Sequence, residues 1–500
     1  MAGSDVDLLV VGGGINGCGI ARDAAGRGLS VVLCEQGDLA GATSSASSKL
    51  IHGGLRYLEH YEFRLVREAL QERERLLALA PHIVWPLDFV LPHQGGLRPA
   101  WLVRAGLFLY DHLARRRRLP PTRGVRLDRD AMGAPLKPGF GRGFVYADCW
   151  VEDSRLVVLN ARDAAARGAR ILPRTRLAAA APEDGRWRCE LVGPDGAAEV
   201  VQARAVVNAA GPWVGDVLRR ALGRNDTKQA RLVKGSHIIL PRLHDGDWAY
   251  ILQNWDRRVV FVIPYEGSYS LVGTTDVPFE GDPAGVAISP EETGYLCDVV
   301  NRHFKHQVGP GDVVRSYSGV RPLYDDAAKD ASAVTRDYVL DLEQPRGGGA
   351  LLSVFGGKIT TYRRLAEHAM EKLSAALPCG PAWTATAPLP GGDLPDADFG
   401  RFAAGFAASH PFLPAPLALR LAHAYGSDAP AVLGGADSLD GMGRDFGGGL
   451  HGCEVDYLVA HEWAQTAEDI LWRRSKLGLH VPPGTAAALD AALRQPAQAA

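Results

Sequence analysis

The first thirty-five residues constrain the fold of this chain more than any other stretch. Residues 8–11 form an apolar run, which is typical of a strand buried on both faces of a parallel sheet. A glycine-rich turn follows, then a predicted helix over 20–25 and a second predicted strand over 30–34. This order of strand, glycine turn, helix and strand predicts the βαβ start of a dinucleotide-binding domain.

The glycines of the turn stand in G-x-G-x-x-G spacing, which lets the backbone approach a pyrophosphate at a helix N-terminus. An acid about twenty residues further on is expected to hydrogen-bond a ribose hydroxyl. The motif does not separate FAD from NAD, but its place at the very start of the chain favours a flavin protein. The predicted cofactor contacts of this unit are Gly12, Gly14, Ile15, Asn16, Gly17, Glu35 and Gln36.

A second unusual stretch, residues 41–58, is dense in hydroxyl residues and glycine and then turns basic and aromatic. A flexible polar linker is the alternative interpretation, but a linker does not normally continue into Leu-Ile-His-Gly-Gly-Leu-Arg-Tyr. Closely spaced hydroxyls and backbone amides suit a loop that wraps phosphates and a polar ring edge. The predicted cofactor contacts of this loop are Thr43, Ser44, Ser45, Ser48, Lys49, Leu50 and His52.

Composition excludes several other classes. The net charge of −2 gives no case for nucleic-acid binding, and the seven scattered cysteines show no metal-ligand spacing and no disulfide framework. No signal peptide and no membrane-spanning stretch is found, so we expect an intracellular protein that is soluble or bound to a membrane surface. The length suggests about three domains.

The glycine motif and the stretch T-S-S-A-S-S-K-L-I-H-G-G-L-R-Y-L together closely resemble the FAD-dependent glycerol-3-phosphate dehydrogenases, the aerobic respiratory enzymes of bacteria. Stretches at 234–237, 273–276, 317–323, 335–338 and 353–358 extend the resemblance over nearly the whole chain. It implies non-covalent FAD, oxidation of sn-glycerol 3-phosphate to dihydroxyacetone phosphate, and electron transfer to quinone at the cytoplasmic membrane. It also implies a homodimer bound peripherally to that membrane.

The resemblance further implies the site residues. A phosphate dianion needs several cationic donors, and arginine is the best of them. We expect Arg56, Arg336 and Lys358 on the phosphate, with a hydroxyl from Tyr57, and Arg321 on the developing alkoxide or ketone oxygen. His237 is the predicted base, with His52 as second choice. The remaining predicted cofactor contacts are Gly211, Gly356, Gly357, Lys358 and Thr360, and no metal is expected.

The expected fold is a two-dinucleotide-binding-domain flavoprotein of the α/β class. We predict a discontinuous FAD domain (1–75, 145–230 and 335–378) and a mainly antiparallel substrate domain (76–144 and 231–334). A Pro- and Gly-rich linker over 379–400 precedes an all-helical C-terminal domain over 401–482, in which 402–425 and 454–477 are predicted helices. Residues 483–500 are expected to fray.

Residues 97–118 combine large apolar side chains with arginines and end in four consecutive arginines. Such a segment suits an anionic membrane surface, although a core-packed helix with solvated arginines is the alternative. Other functions stay open at this point: a soluble oxidase that uses oxygen, an amine oxidase of the glycine or sarcosine type, and a non-catalytic flavin-binding or electron-transfer protein. The predicted phosphate-binding cations argue against the amine oxidase.

Overall fold

The structure is a computed structural model that describes residues 4–94, 98–224, 230–254, 256, 258–324 and 337–494. Its strands are β1 (Ser4–Val11), β2 (Val31–Cys34), β3 (Leu50–Ile51), β4 (Val84–His93), β5 (Arg123–Val125), β6 (Arg142–Val151), β7 (Arg170–Leu172), β8 (Arg176–Glu183), β9 (Arg186–Val192), β10 (Ala198–Asn208), β11 (Ala230–Pro241), β12 (Ala249–Gln253), β13 (Val259–Tyr265), β14 (Tyr269–Gly273), β15 (Val277–Pro278), β16 (Arg315–Tyr324), β17 (Val339–Glu343) and β18 (Ala350–Phe355). Its α-helices are α1 (Ile15–Gly26), α2 (Phe63–Leu79), α3 (Ala100–His112), α4 (Asp153–Ala166), α5 (Val214–Asp216), α6 (Pro290–His303), α7 (Tyr362–Leu373), α8 (Phe399–Ser409), α9 (Ala415–Tyr425), α10 (Ala429–Val432), α11 (Gly452–Glu462) and α12 (Thr485–Leu493).

The first sheet contains the predicted βαβ unit at its centre. Its strand order is β17-β18-β10-β1-β2-β7, parallel except for β17, and a hairpin of β8 and β9 extends from β10. Leu8 and Val10 pack into the core on one face of β1, and Leu9 and Val11 into the core on the other. Burial on both faces explains why residues 8–11 of this strand are all apolar. Helix α1 begins at Ile15, five residues before the predicted start, so the last glycine of the motif lies within it.

The second sheet confirms the mainly antiparallel character predicted for the substrate region. Its order is β15-β11-β14-β13-β12-β4-β6-β3, with β16 paired to β11 and β5 to β6. Among the described pairs of this sheet, only β12 and β4 run parallel. Helix α6 packs on one face and was not predicted, although Ser289 and Glu292 form a capping box before it, which is a signal readable in the sequence.

Two predicted domain boundaries differ from the structure. Strand β6 belongs to the second sheet, because it pairs along its length with β4, whereas residues 145–151 had been assigned to the FAD domain. The boundary predicted at 75/76 falls inside helix α2, which continues without a break to Leu79. Hydrophobic periodicity identifies elements but does not reveal which sheet a strand joins.

The C-terminal region is helical, as predicted, and has its own hydrophobic core. The predicted helix 402–425 is two helices, α8 and α9, because Pro411 and Pro414 interrupt it. The predicted helix 454–477 ends at Glu462 and is followed by a π-helical turn, Asp469–Arg474. The expectation of a frayed tail was wrong for α12, whose Leu489 is fully buried; residues 495–500 lie outside the described residues.

Helix α3 forms the centre of the predicted basic amphipathic segment. Only Leu107 and Tyr110 of this helix are buried, whereas the side chains of Trp101 and Phe108 are 72% and 59% exposed. Within the described part of the chain, no helix is long and apolar enough to cross a membrane. The same residues contain no cluster of side chains suited to a metal ion, and the cysteines are unpaired.

Candidate active site

The glycines of the turn after β1 differ in what an added side chain would meet. Gly12 has φ +114°, and a Cβ at this position would lie 2.5 Å from the Ala209 carbonyl oxygen. A Cβ on Gly17 would lie 1.9 Å from the Gly12 carbonyl oxygen, so the turn itself requires both glycines. Gly14 differs, because its added Cβ would meet only the Ser44 hydroxyl, at 3.1 Å. No side chain caps α1 at Gly14, which leaves the helix N-terminus open.

A cavity of about 1260 Å³ lies in front of this turn. It runs between the first sheet, the second sheet and the C-terminal region. The predicted cofactor residues that line it are Gly12, Gly14, Ile15, Asn16, Glu35, Gln36, Thr43, Ser44, Gly211, Gly356 and Gly357.

Two polar side chains of this wall are held in fixed positions. The Glu35 carboxylate accepts hydrogen bonds from the backbone N–H groups of Gly13 and Gly37, each at 2.7 Å. Burial raises the pKa of Glu35, and these two hydrogen bonds oppose the rise. The Asn16 amide donates to the Gly356 carbonyl at 3.1 Å, while its buried Oδ1 has no hydrogen-bond partner among the described residues. Both side chains therefore offer acceptor oxygens to a ligand.

These features fit FAD. The open N-terminus of α1 suits a pyrophosphate, and Glu35 stands where a ribose hydroxyl is expected. At the far end, Gly356 and Gly357 have φ +72° and +94° and precede the turn that leads into α7. A Cβ on Gly357 would lie 2.8 Å from the Asn16 amide nitrogen, so this turn is also closed to side chains. Backbone without side chains therefore lines the cavity at both glycine turns, the one after β1 and the one before α7.

Several residues predicted to contact the cofactor do not line this cavity. Ser45 and Lys49 line a smaller cavity beside it, Leu50 is buried in β3, and the Ser48 hydroxyl contacts His237 at 2.9 Å. Gly17 lies inside α1. The last two, His52 and Thr360, contact each other: the backbone N–H of His52 donates a hydrogen bond to the Thr360 hydroxyl at 3.3 Å. Lys358 is described with the other cations below.

The side chain of Lys49, a predicted cofactor contact, forms a buried ion pair. Its ammonium lies 2.9 Å from both carboxylate oxygens of Asp153 and 3.1 Å from the Ser45 carbonyl oxygen. Asp153 is fully buried at the start of α4, and Lys49 with its neighbours keeps the pKa of this carboxyl low although burial raises it. The pair anchors the hydroxyl-rich loop to the core.

Replacing Lys49 with Met is expected to lower the free energy of unfolding by about 3–5 kcal/mol, because Asp153 is left buried without its main partner. Urea unfolding of the purified protein measures this loss. Lys372→Met, at an exposed position of α7, is the matched control and should change stability by less than about 0.5 kcal/mol. Equal stability of the two variants would contradict the anchoring role.

Two of the predicted substrate cations, Lys358 and Arg321, are sequence neighbours of residues that line the large cavity. Lys358 stands between two residues that line it, and its ammonium lies 3.8 Å from the centroid of the Tyr57 ring. Arg56 precedes Tyr57 in the 3₁₀ turn Leu55–His60. Arg321 is on β16, where it donates to the Thr275 carbonyl at 3.1 Å and pairs with Asp276 at 3.3 Å. Arg336 lies outside the described residues.

His237 is buried on β11, behind the hydroxyl-rich loop. Its ring stacks on Tyr317 at 4.9 Å between centroids, and its Nε2 contacts the Ser48 hydroxyl. Burial, together with the positive charges of Lys49 and Arg321, lowers the pKa of His237 to about 3. The imidazole is therefore neutral at pH 7 and able to accept a proton. It does not line the large cavity directly.

The structure adds lining residues that sequence reasoning missed. Thr466, Glu468, Asp469 and Arg473 come from the C-terminal region and complete one end of the cavity. Charged residues on a helical segment carry no local sign of such a role. Only the tertiary structure identifies these residues as part of the cavity wall.

Comparisons with known proteins agree with this geometry. The family described as FAD dependent oxidoreductase matches residues 7–363, and the C-terminal domain of alpha-glycerophosphate oxidase matches residues 382–498. The chain is 57% identical to a glycerol-3-phosphate dehydrogenase of Pseudomonas aeruginosa over 95% of this chain and 93% of that protein. It is 54% identical to a D-erythritol 1-phosphate dehydrogenase of Brucella abortus, over 96% of each.

The solved structure of a glycerol-3-phosphate dehydrogenase from Bacillus halodurans, complexed with FAD, has a similar fold. The TM-score is 0.76 at 26% identity, over 95% of this chain and 86% of that one. The family match, the identities and the cavity lead to the same assignment. The chain belongs to the FAD-dependent glycerol-3-phosphate dehydrogenase family of the FAD-dependent oxidoreductases.

Proposed function

We propose that the protein oxidises sn-glycerol 3-phosphate to dihydroxyacetone phosphate. The observation that carries the proposal is that two cations stand next to residues that line the cofactor cavity. Lys358, whose ammonium lies over the Tyr57 ring, follows Gly357, and Arg321 on β16 precedes Pro322. The phosphate of a small phosphorylated alcohol is a dianion and requires several such charges, whereas the carboxylate of an amino acid is a monoanion that one cation can neutralise. The identity to the Pseudomonas aeruginosa enzyme supports the same substrate.

The reaction removes a hydride from C2 of the substrate and a proton from its hydroxyl. FAD, when bound, supplies the two-electron acceptor. Arg56, Lys358 and Arg336 bind the phosphate in this proposal, and Arg321 stabilises negative charge on the C2 oxygen. His237 accepts the proton, either directly or through the Ser48 hydroxyl that contacts its Nε2. A phosphate dianion bound nearby raises the pKa of His237, which makes the imidazole a better base when substrate is present.

The experiment compares kcat/KM for sn-glycerol 3-phosphate, D-erythritol 1-phosphate and glycine with an artificial electron acceptor. D-Erythritol 1-phosphate is one CHOH group longer, and a difference of that size discriminates by about tenfold or more. We expect glycerol phosphate to be preferred by at least that factor and glycine to be inactive. A preference for D-erythritol 1-phosphate would instead assign this chain the activity of the Brucella abortus relative.

We also propose that electrons pass to a membrane quinone and that the protein binds the anionic surface of the cytoplasmic membrane through α3. Four large apolar side chains of α3 are exposed: Trp101, Leu102, Phe108 and Leu109. Tyr61, 80% exposed, and Phe63, 40% exposed, belong to the neighbouring turn and α2. Exposed arginines follow at 115, 117 and 118. Apolar side chains with basic residues beside them match an anionic lipid surface.

Replacing both Trp101 and Phe108 with Glu is expected to reduce binding to phosphatidylglycerol-containing vesicles by about tenfold or more. Two aromatic contacts with the lipid are lost, and two negative charges are added that the anionic lipid repels. Co-sedimentation measures the bound fraction. Leu419→Glu, at a 49% exposed position of α9, is the control and should bind as the unmodified protein does. Equal binding of all three proteins would exclude α3 as the contact.

The homodimer implied by the resemblance stays a prediction, checked by light scattering.

A further inference from the structure

The C-terminal region reaches the nucleotide end of the cofactor cavity. Its residues Thr466, Glu468, Asp469 and Arg473 line the same cavity as the glycine turn, although the two segments are more than 400 residues apart in the chain. They lie beside the turn that contains Glu35, the predicted ribose acid, and beside the segment Arg174–Ala178, which follows β7. This end of the cavity therefore suits the adenosine part of FAD.

A buried ion network fastens the C-terminal segment to that end. Asp38, three residues after Glu35, accepts a hydrogen bond from Arg473 at 2.5 Å. It also accepts two from Arg474, at 2.6 and 2.8 Å. Asp38 is only 6% exposed, and the Arg474 side chain is fully buried. Pairs of this kind are costly to break, since each partner would be left charged inside the protein.

A second ion pair joins the same two regions, but here the arginine belongs to the FAD-binding side and the carboxylate to the C-terminal segment. Arg174, from the first sheet, donates to both oxygens of Asp469 in the C-terminal segment, at 2.9 and 2.7 Å. Asp469 also accepts from Arg473 and from the backbone N–H groups of Gln465 and Thr466. Burial raises the pKa of Asp469, but these partners outweigh it and lower the pKa to about 2. The carboxylate is therefore ionised at neutral pH.

We propose that the segment Asp469–Arg474 is the closing wall of the adenosine site, so that FAD leaves only when this segment separates from the first sheet. Asp38, Arg174, Asp469 and Arg473 are positioning residues that set how often the wall opens. The C-terminal region is in this way part of the cofactor site. The proposal concerns cofactor retention, goes beyond the proposed substrate and does not depend on it.

The test measures the rate of FAD release after dilution of the flavin-loaded protein, from the gain of flavin fluorescence, with no substrate present. Arg473→Ala and Arg174→Ala are each expected to release FAD about tenfold faster or more, because each removes charge-assisted hydrogen bonds across the junction. When Arg174 is removed, Asp469 keeps its hydrogen bonds from Arg473 and from the N–H groups of Gln465 and Thr466. Arg174→Ala therefore carries the test if Arg473→Ala does not fold.

The control is Arg444→Ala, which removes an arginine of the same C-terminal region that packs on Phe446 and does not line the cavity. It should release FAD at the rate of the unmodified protein. Release rates of Arg473→Ala and Arg174→Ala within twofold of the control would overturn the proposal. Because no turnover is measured, failure of the substrate assignment would leave this result unaffected.

Discussion

Gly14→Val should yield a folded protein that has lost its flavin. The backbone at this position is extended, with φ −83° and ψ −178°, which valine adopts readily, and the added side chain first meets only the Ser44 hydroxyl. The same side chain projects in front of the open N-terminus of α1, where the pyrophosphate of FAD must approach. We expect FAD to bind about 100-fold more weakly, which corresponds to about 2.7 kcal/mol.

Flavin absorbance per protein after gel filtration, followed by titration with FAD, measures this effect. Two other glycines define the comparison. Gly405→Val changes a glycine of α8 that has open space around it and should keep its full flavin content. Gly12→Val should not fold, because its Cβ collides with backbone whether or not a cofactor is present. A Gly14→Val protein with full flavin content would show that α1 does not receive the pyrophosphate.

Arg321→Ala is expected to lower kcat/KM for sn-glycerol 3-phosphate by about 10³-fold while leaving the flavin content unchanged. Removing one donor aimed at a developing negative charge typically costs about 10²–10³-fold in turnover, and a cation contributes more than a neutral donor. Arg321 lies on β16 beside Pro322, which lines the cavity. Arg321 itself is not among the lining residues, so we expect its loss to affect the chemistry more than the binding of the cofactor.

Steady-state kinetics and flavin absorbance on the same preparation separate the two effects. Arg321→Lys should recover part of the rate, because the charge is restored without the two-pronged geometry of the guanidinium. Arg129→Ala, at a side chain that is 77% exposed, should match the unmodified protein. If Arg321→Ala kept its rate, or lost its flavin in proportion to its rate, the assignment of Arg321 to the reacting oxygen would be wrong.

Local patterns in the sequence were enough to predict the cofactor-binding end of this protein. The apolar run of β1, the glycine spacing and Glu35 all belong to one continuous unit, and the structure places Gly12, Gly14 and Glu35 on the cavity wall. Each of these features depends on neighbours in the chain, which is why periodicity and spacing reveal them. The mainly antiparallel second sheet was predictable for the same reason.

At the candidate site, the contacts that sequence reasoning missed join distant parts of the chain. Lys49 is a predicted cofactor contact, and nothing in the sequence around it reveals its ion pair with Asp153, which lies 104 residues away. The C-terminal wall meets the nucleotide turn through Asp38 and Arg474, which are 436 residues apart. Charge and residue type at one position do not specify such partners. The tertiary structure decides which lysine holds a loop and which arginine reaches a ligand.

The central claim, that a phosphorylated glycerol is oxidised by this flavoprotein, is tested most directly by an anaerobic reduction of the FAD-loaded protein. We expect the visible flavin absorbance to bleach within seconds of adding sn-glycerol 3-phosphate, and not with the enantiomer sn-glycerol 1-phosphate. Bleaching by the first and not by the second would establish substrate, cofactor and stereochemistry together. A flavin that stays oxidised with sn-glycerol 3-phosphate, in a protein that is fully loaded and folded, would contradict the account.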